Sequence, residues 1–380
     1  MKVEQLNWTK TGGWIKEKGL ELSANANFVL VFGGIDEVHN PERYNELKAN
    51  YPNADIVMAS TAGEIIDNRV QDETLTATAI QYEKTTLRFA EIDVTPNSDS
   101  STCGAAIREE LMADDLNHIL VISDGSMVNG DALVKGLNES LPSNVLVTGG
   151  LAADAGRFSK TYVGLNKSPE SGKVVAIGHY GDSLVVSHGS KGGWDEFGPI
   201  RTVTKSEGNV LFELDGQNAL ELYKKYLGDK AKELPGTALL FPLSLYCDDG
   251  SQLVRTILSI NEEAGSMTFA GDIPNNAEVR FMMANFDRLI DGAFNAAEAS
   301  YSKEDDLCPE LVLMISCIGR KIVLDQRIEE EVESVKEIFG DDVIYTGFYS
   351  NGEISPVMDS TTCSLHNQTM TITTYQENLP

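Results

Sequence analysis

At 380 residues the chain exceeds the size at which single hydrophobic cores stop growing, and its 42% apolar content can fill two packed domains. Thirty Lys and Arg against 58 Asp and Glu leave a formal charge of -28, spread along the chain, which disfavours nucleic acid and anionic membranes as partners. Five cysteines, Cys103, Cys247, Cys308, Cys317 and Cys363, form no C-x-x-C pair, as expected of reduced thiols in a cytosol. No apolar h-region opens the chain and no apolar run of about 18 residues occurs, so neither export nor a membrane span is expected and the location is expected to be cytoplasmic.

In chain order, the first predicted elements are a buried strand "FVLVFGG" (28–34), a helix "PERYNELKANYP" (41–52) and a strand opening "ADIVMASTAGEI" (54–65). The same order returns as "HILVISDG" (118–125), "GDALVKGLNESLP" (130–142) and "NVLVTGGLAADA" (144–155). It returns again as "LVLMISCIGRK" (311–321), "QRIEEEVESVKEIFG" (326–340) and "DDVIYTGFYSNGEI" (341–354). A crossover of about 20 residues suits a helix joining parallel strands, so each repeat reads as β-α-β. Polar, β-branched segments come after each one, among them "TLTATAIQYEKTTLRFAEI", "KVVAIGHYG" and "TMTITTYQ", and read as antiparallel additions to a mixed sheet.

The Gly-rich stretch "SHGSKGGWDEFGPIRTVTKSEGN" (187–209) reads as a connector. Beyond it come a helix over 217–234, strands in "TALLFPLSLY", "LVRTILSI", "SMTFAG" and "VRFMMAN", and a helix over 286–302. The expected fold is α/β, two domains built on mixed sheets with recurring β-α-β units. A boundary near residue 200 leaves two units in residues 1–200, and one unit with inserted strands in 201–380.

"STAGEI" (60–65) is echoed by "YSNGEI" (349–354), and both come after a second strand. Thr61-x-x-Glu64 and Ser350-x-x-Glu353 match a helix capping box, but no 3.6-residue period develops after either and Pro356 opposes a helix. Open α/β sheets place ligands at the carboxyl ends of their strands, and Gly63 and Gly352 admit close backbone approach. Ser60, Thr61, Glu64, Tyr349, Ser350 and Glu353 are therefore candidate ligand-binding residues for a polar, amine-bearing small molecule. Arg320, in "SCIGRK", is a candidate for gripping a carboxylate, with a salt bridge to a domain-interface acid as its structural alternative.

The blocks "STAGEI", "GGLAAD", "ELDGQNALELYKKYLG", "FAGDIP", "CIGRK", "GFYSNGEI" and "LHNQTMT" resemble those of the FIST-domain sensory proteins, with their FIST N and FIST C domains, across nearly the whole chain. The resemblance implies an intracellular sensor of small ligands such as amino acids. It also implies action in trans on a histidine kinase or cyclic-dinucleotide enzyme, and adds Asn367 of "LHNQT" to the ligand-binding candidates. Stand-alone proteins of this architecture include NosP-type nitric-oxide-sensing haemoproteins, so haem b is an implied cofactor. No C-x-x-C-H occurs, and a b-type haem needs an axial side chain. His188, in the connector, and His366, after the third loop, are the candidate haem and iron ligands.

No Walker A, G-x-G-x-x-G, H-E-x-x-H or G-x-S-x-G pattern is present, and the chain is not expected to be an enzyme. The competing reading is a small-molecule hydrolase that uses Glu64 and Glu353 as an acid/base pair. It requires the two loops to share one pocket.

Overall fold

The three lead strands, Phe28–Gly33, Leu116–Ser123 and Leu311–Cys317, are buried on both faces almost throughout, which is why their sequences are unbroken apolar runs. Each pairs in parallel with the strand after its crossover helix, Asp55–Ser60, Leu146–Leu151 or Ile344–Ser350. Gly33 thus lies opposite Ser60, Ser123 opposite Leu151, and Cys317 opposite Ser350. The crossover helices are Pro41–Asn50, Gly130–Asn138 and Ile328–Phe339. Asn40 and Asn129 cap the first two through side chains that accept from Glu42 N and Ala132 N. The third has no such cap and places Glu329, Glu330 and Glu331 at the positive end of its dipole. The computed structural model describes residues 1–247, 250–301, 308–357 and 362–378.

The strands C-terminal to each unit are exchanged between units. The strand Glu64–Ile66 crosses to pair with Ile344–Ser350, Val163–Leu165 crosses to Asp55–Ser60, and Gly352–Pro356 crosses to Leu146–Leu151. Closing strands Leu75–Gln81, Lys173–Tyr180 and Met370–Glu377 return antiparallel to their own lead strands. Thr86–Asp93 then joins the second unit's closing strand and Leu184–Lys191 joins the third's. The N-terminal strand Lys2–Thr9 does the same for the first unit and so completes a cyclic, pseudo-threefold exchange.

Three six-stranded sheets result, and the inward side chains of all three units share one core that includes Phe32, Leu120, Ile122, Ile315 and Phe348. The rings of Phe32 and Phe348 stack with centroids 4.5 Å apart. Helices cover the outer faces over separate apolar clusters. The fold is α/β with mixed sheets, as the repeats predict.

An inserted eight-stranded sheet occupies the stretch from Asp195 to Met283 and packs the helix Ala219–Leu227 over its own core of Leu211, Tyr223, Phe269 and Phe281. The predicted connector at 187–209 is in fact two strands, Leu184–Lys191 and Asp195–Glu207, separated at Gly192 and Gly193. The strand Asp195–Glu207 spans the predicted boundary at 200, and exchange interleaves the two halves. "IGRKIVL", partly read as strand, is the helix Ile318–Leu324, and the first half of "TALLFPLSLY" is a short 3-10 helix. The helix expected over 286–302 runs from Phe286 to Ala299, and Ser302 lies outside the described residues. Among the described residues no helix is long and apolar enough to cross a membrane.

Candidate functional site

The carboxyl ends of the three second strands converge and bond in a cycle. Ala62 N donates to Tyr349 O at 2.9 Å, Asn351 N to Leu151 O at 3.1 Å, and Ala153 N to Ser60 O at 3.0 Å. Backbone polar groups at strand ends need such partners, and here each unit supplies the next one's. Tyr349 N returns to Gly63 O and Ala155 N to Thr61 O. Gly63 carries this turn at φ 139°, where a side chain would also press on Lys321 and Tyr349.

Within this junction the two echoed motifs make the same bonds. Thr61 Oγ1 donates to Glu64 Oε1, while Thr74 N and Oγ1 donate to Oε2 at 3.1 and 2.8 Å. Ser350 Oγ donates to Glu353 Oε1 at 2.7 Å, while Thr369 N and Oγ1 donate to Oε2 at 3.3 and 2.8 Å. The S/T-x-x-E pattern is thus a hydroxyl-to-carboxylate clamp that ties the loop to the start of its closing strand. In the second unit Asp124, at the end of the lead strand, performs the tie by accepting from Gly172 N and Ser171 Oγ.

Burial dominates the protonation of both glutamates. It raises Glu64 to about 7 and Glu353 to about 8, against the lowering effect of their hydroxyl and amide donors.

Glu64 lines a cavity, whereas Glu353 is fully buried and is not among that cavity's lining residues. Glu64 and Thr61 line a cavity of about 520 Å³ to which all three units contribute: Ile35, Asp36 and Glu37 from the first, Arg157 from the second, Ile318 and Lys321 from the third. Thr369, the partner of Glu353, lines another cleft together with His366. Six carboxylates line the first cavity, Asp36, Glu37, Glu64, Asp72, Glu73 and Asp325, against three cations, Lys10, Arg157 and Lys321. Lys321 donates to Ala62 O at 2.8 Å and pairs with Asp72, Arg157 lies 3.4 Å from Asp36, and Lys10 lies 3.8 Å from Glu37. Among the described lining residues those pairings leave Glu64, Glu73 and Asp325 without a cation. With Glu64 ionised the lining carries a net charge of -3, alongside an apolar wall of Ile35, Ile318 and Ile322.

Other predicted site residues are committed to the fold. Arg320 is fully buried and ion-paired to Glu331 at 2.8 Å, with its remaining donors on the carbonyls of Gly192, Gln368 and Leu289. No donor is left for a ligand carboxylate, which corrects that expectation. Tyr349 donates its hydroxyl to the same Glu331 at 2.8 Å, and Ser60 Oγ accepts from Tyr162 N at 2.9 Å. Asn367 donates to His366 O, and its buried Oδ1 is unpartnered. Asp36, Glu37, Asp72, Glu73 and Arg157 were not singled out by sequence. Lys321 stood in the "CIGRK" block without a role.

The FIST N domain matches residues 27–217 and the FIST C domain matches residues 219–356. The chain belongs to the FIST family. Its two FIST domains are those of sensory signal-transduction proteins. FIST N thus holds the first two units, and FIST C holds most of the inserted sheet and the third unit through its crossing strand. An uncharacterized protein of Methanocaldococcus jannaschii is 23% identical over 208 residues, 51% of this chain and 39% of that protein. The match thus spans about two fifths of that relative's length. Among solved structures, a cyanuric acid hydrolase from A. caulinodans aligns over 94% of this chain and 91% of its own with 8% identity and a TM-score of 0.36, a likeness that carries no argument.

The lining beside His366, one of the two candidate haem ligands, is poorly suited to a haem face. His366 is buried with Nε2 on Ser355 O at 3.0 Å, and His188 Nδ1 lies 3.5 Å from Ser355 Oγ. Both imidazoles thus contact one serine within the sheets, and the cleft beside His366 is walled largely by Gly, Ser, Gln and Thr. These contacts engage one ring nitrogen of each imidazole, but a haem face also needs a continuous apolar slot, and most residues lining this cleft are polar or glycine. Among the described residues no group of three His, Cys, Asp or Glu is placed to hold a metal ion.

Proposed function

We propose that this FIST protein senses a small amine-bearing molecule, amino acids included, in the cavity beside Glu64, and signals in trans to a histidine kinase or cyclic-dinucleotide enzyme. The observation that carries this reading is the charge of the cavity: a buried carboxylate balanced near neutral pH, a net charge of -3 and an apolar wall, all in one cavity. An ammonium group entering it pairs with Glu64 and favours its ionised form. Ile35, Ile318 and Ile322 then accept an apolar side chain, and Arg157, held only by a half-exposed pair with Asp36, is free to take a ligand carboxylate.

The cavity draws on three units, so a ligand that fits one arrangement of them better than another shifts the balance between arrangements. That is sufficient for signalling and breaks no bond. A hydrolase working through Glu64 and Glu353 together finds less support, since each carboxylate is clamped by its own threonine and Glu353 does not line the cavity that Glu64 does.

A thermal-shift screen with amino acids, monoamines and diamines tests the proposal, with mass analysis of every hit for turnover. The expected result is stabilisation by one amine class, lost in Glu64→Gln, with the ligand recovered intact. Conversion of the hit to product, abolished by Glu353→Gln, would overturn the reading in favour of an enzyme.

A further inference from the structure

A second cleft, about 820 Å³, lies on the seam between the ring of three units and the inserted sheet. One wall is the end of the strand Leu184–Lys191 and the Gly192–Gly193 turn; the other comes from inserted strands carrying Ser244, Val254 and Met282. Its chemistry is the reverse of the Glu64 cavity. In a chain with a formal charge of -28, the described lining residues of this cleft include no Asp or Glu, and they do include Lys191. Among the described residues Lys191 has no ion-pair partner.

Two further features point to a ligand. Ser244 is only 1% exposed, and its Oγ has no hydrogen-bond partner. Buried hydroxyls are ordinarily satisfied, so an orphan in a cavity wall marks a group that a guest completes. Trp194 lines the same space with its ring fixed, because Nε1 donates to Gln368 O at 2.8 Å and the ring packs with Met282 and Leu289. A fixed aromatic face beside Val254 and Met282 offers apolar area at little ordering cost.

We propose that this seam is a second binding site, for a small carboxylate with an apolar body. The carboxylate pairs with Lys191 and accepts from Ser244, and the apolar body lies along Trp194, Val254 and Met282. The inference does not depend on the amine reading of the first cavity, since it uses none of the same residues. Arg320 relates the two sites: it bonds the carbonyl of Gly192 in this wall and sits on the helix whose Ile318 and Lys321 line the first cavity.

The test uses the full chain with benzoate as the probe and benzyl alcohol as its uncharged counterpart, monitored by calorimetry and by tryptophan fluorescence. Saturable benzoate binding is expected, with benzyl alcohol at least about tenfold weaker, a difference of about 1.4 kcal/mol. Lys191→Ala is expected to weaken benzoate by about tenfold, while Lys191→Arg keeps it within about threefold. Ser244→Ala, which removes only the hydroxyl, is expected to weaken it to a smaller degree and provides a readout should Lys191→Ala fail to fold. Absence of saturable benzoate binding, or equal affinity in wild type, Lys191→Ala and Ser244→Ala, would overturn the proposal.

Discussion

At Glu64 and Glu353 three hydrogen bonds from a hydroxyl and a threonine oppose the cost of burying a carboxylate, and burial prevails at both. The consequence for stability has a definite sign. Folding raises Glu353 from the ordinary 4.5 to about 8, so the folded state holds more protons than the unfolded chain between those values. Its contribution is fully present below about 4.5, declines as pH rises and is gone above about 8, and Glu64 acts likewise up to about 7. Below about pH 6.5 the buried His118, His179, His188 and His366, whose pKa values burial lowers, act in the opposite sense, so the glutamate effect is expected to be visible by chemical denaturation between about pH 6.5 and 8, where Glu353→Gln is expected to flatten the fall in stability. A second prediction concerns the ligand. An amine that stays protonated gains affinity as Glu64 ionises, so binding is expected to strengthen between about pH 6 and pH 8, and Glu64→Gln is expected to weaken it about tenfold and remove the pH dependence. Calorimetric titrations at the two pH values check both points. The echo of Thr61–Glu64 in Ser350–Glu353 was legible as a repeated motif. Its bonding was not, because Thr74 and Thr369 lie 10 and 16 residues beyond their glutamates.

The helix Ile318–Leu324 shows what one element does between two spaces. Ile318, Lys321 and Ile322 face the Glu64 cavity, while Arg320 turns inward to Glu331 and to the carbonyls of Gly192, Leu289 and Gln368. Arg320→Met is expected to destabilise the protein by about 3 to 5 kcal/mol, because Glu331 is left as a buried charge without its partner. Restoring balance with Glu331→Met in the same chain is expected to recover much of that loss, and denaturant melts of the single and double variants measure it. The helix itself was hidden in the sequence. It begins immediately after an apolar strand, and its "IGRKIVL" has too few residues to display a 3.6-residue period. The strands Leu184–Lys191 and Asp195–Glu207 were hidden for the opposite reason. Leu184–Lys191 pairs at a sheet edge, and both strands stay partly exposed and carry Gly and Ser where a buried strand carries Val or Ile.

Across the whole molecule, local order was legible and strand exchange was not. The three β-α-β units declare themselves through apolar runs and crossover lengths, but the pairing of Glu64–Ile66 with Ile344–Ser350 joins residues 280 positions apart, as in Ile66 with Thr346, and leaves no local signal. This exchange makes the first strand structural. Removing Lys2–Thr9 exposes the edge of Leu75–Gln81 and uncovers Phe28 and Ile80 of the shared core, so the truncated chain is expected to aggregate on refolding where the full chain stays monodisperse by light scattering. The same convergence of units builds the cavity on which the sensory reading rests. Amine recognition by Glu64 is measured by calorimetric titration of the best amine from the screen into wild type and Glu64→Gln at about pH 8. Saturable one-site binding to wild type and about tenfold weaker binding to the variant are expected. Equal affinity in the two proteins would contradict amine recognition by Glu64.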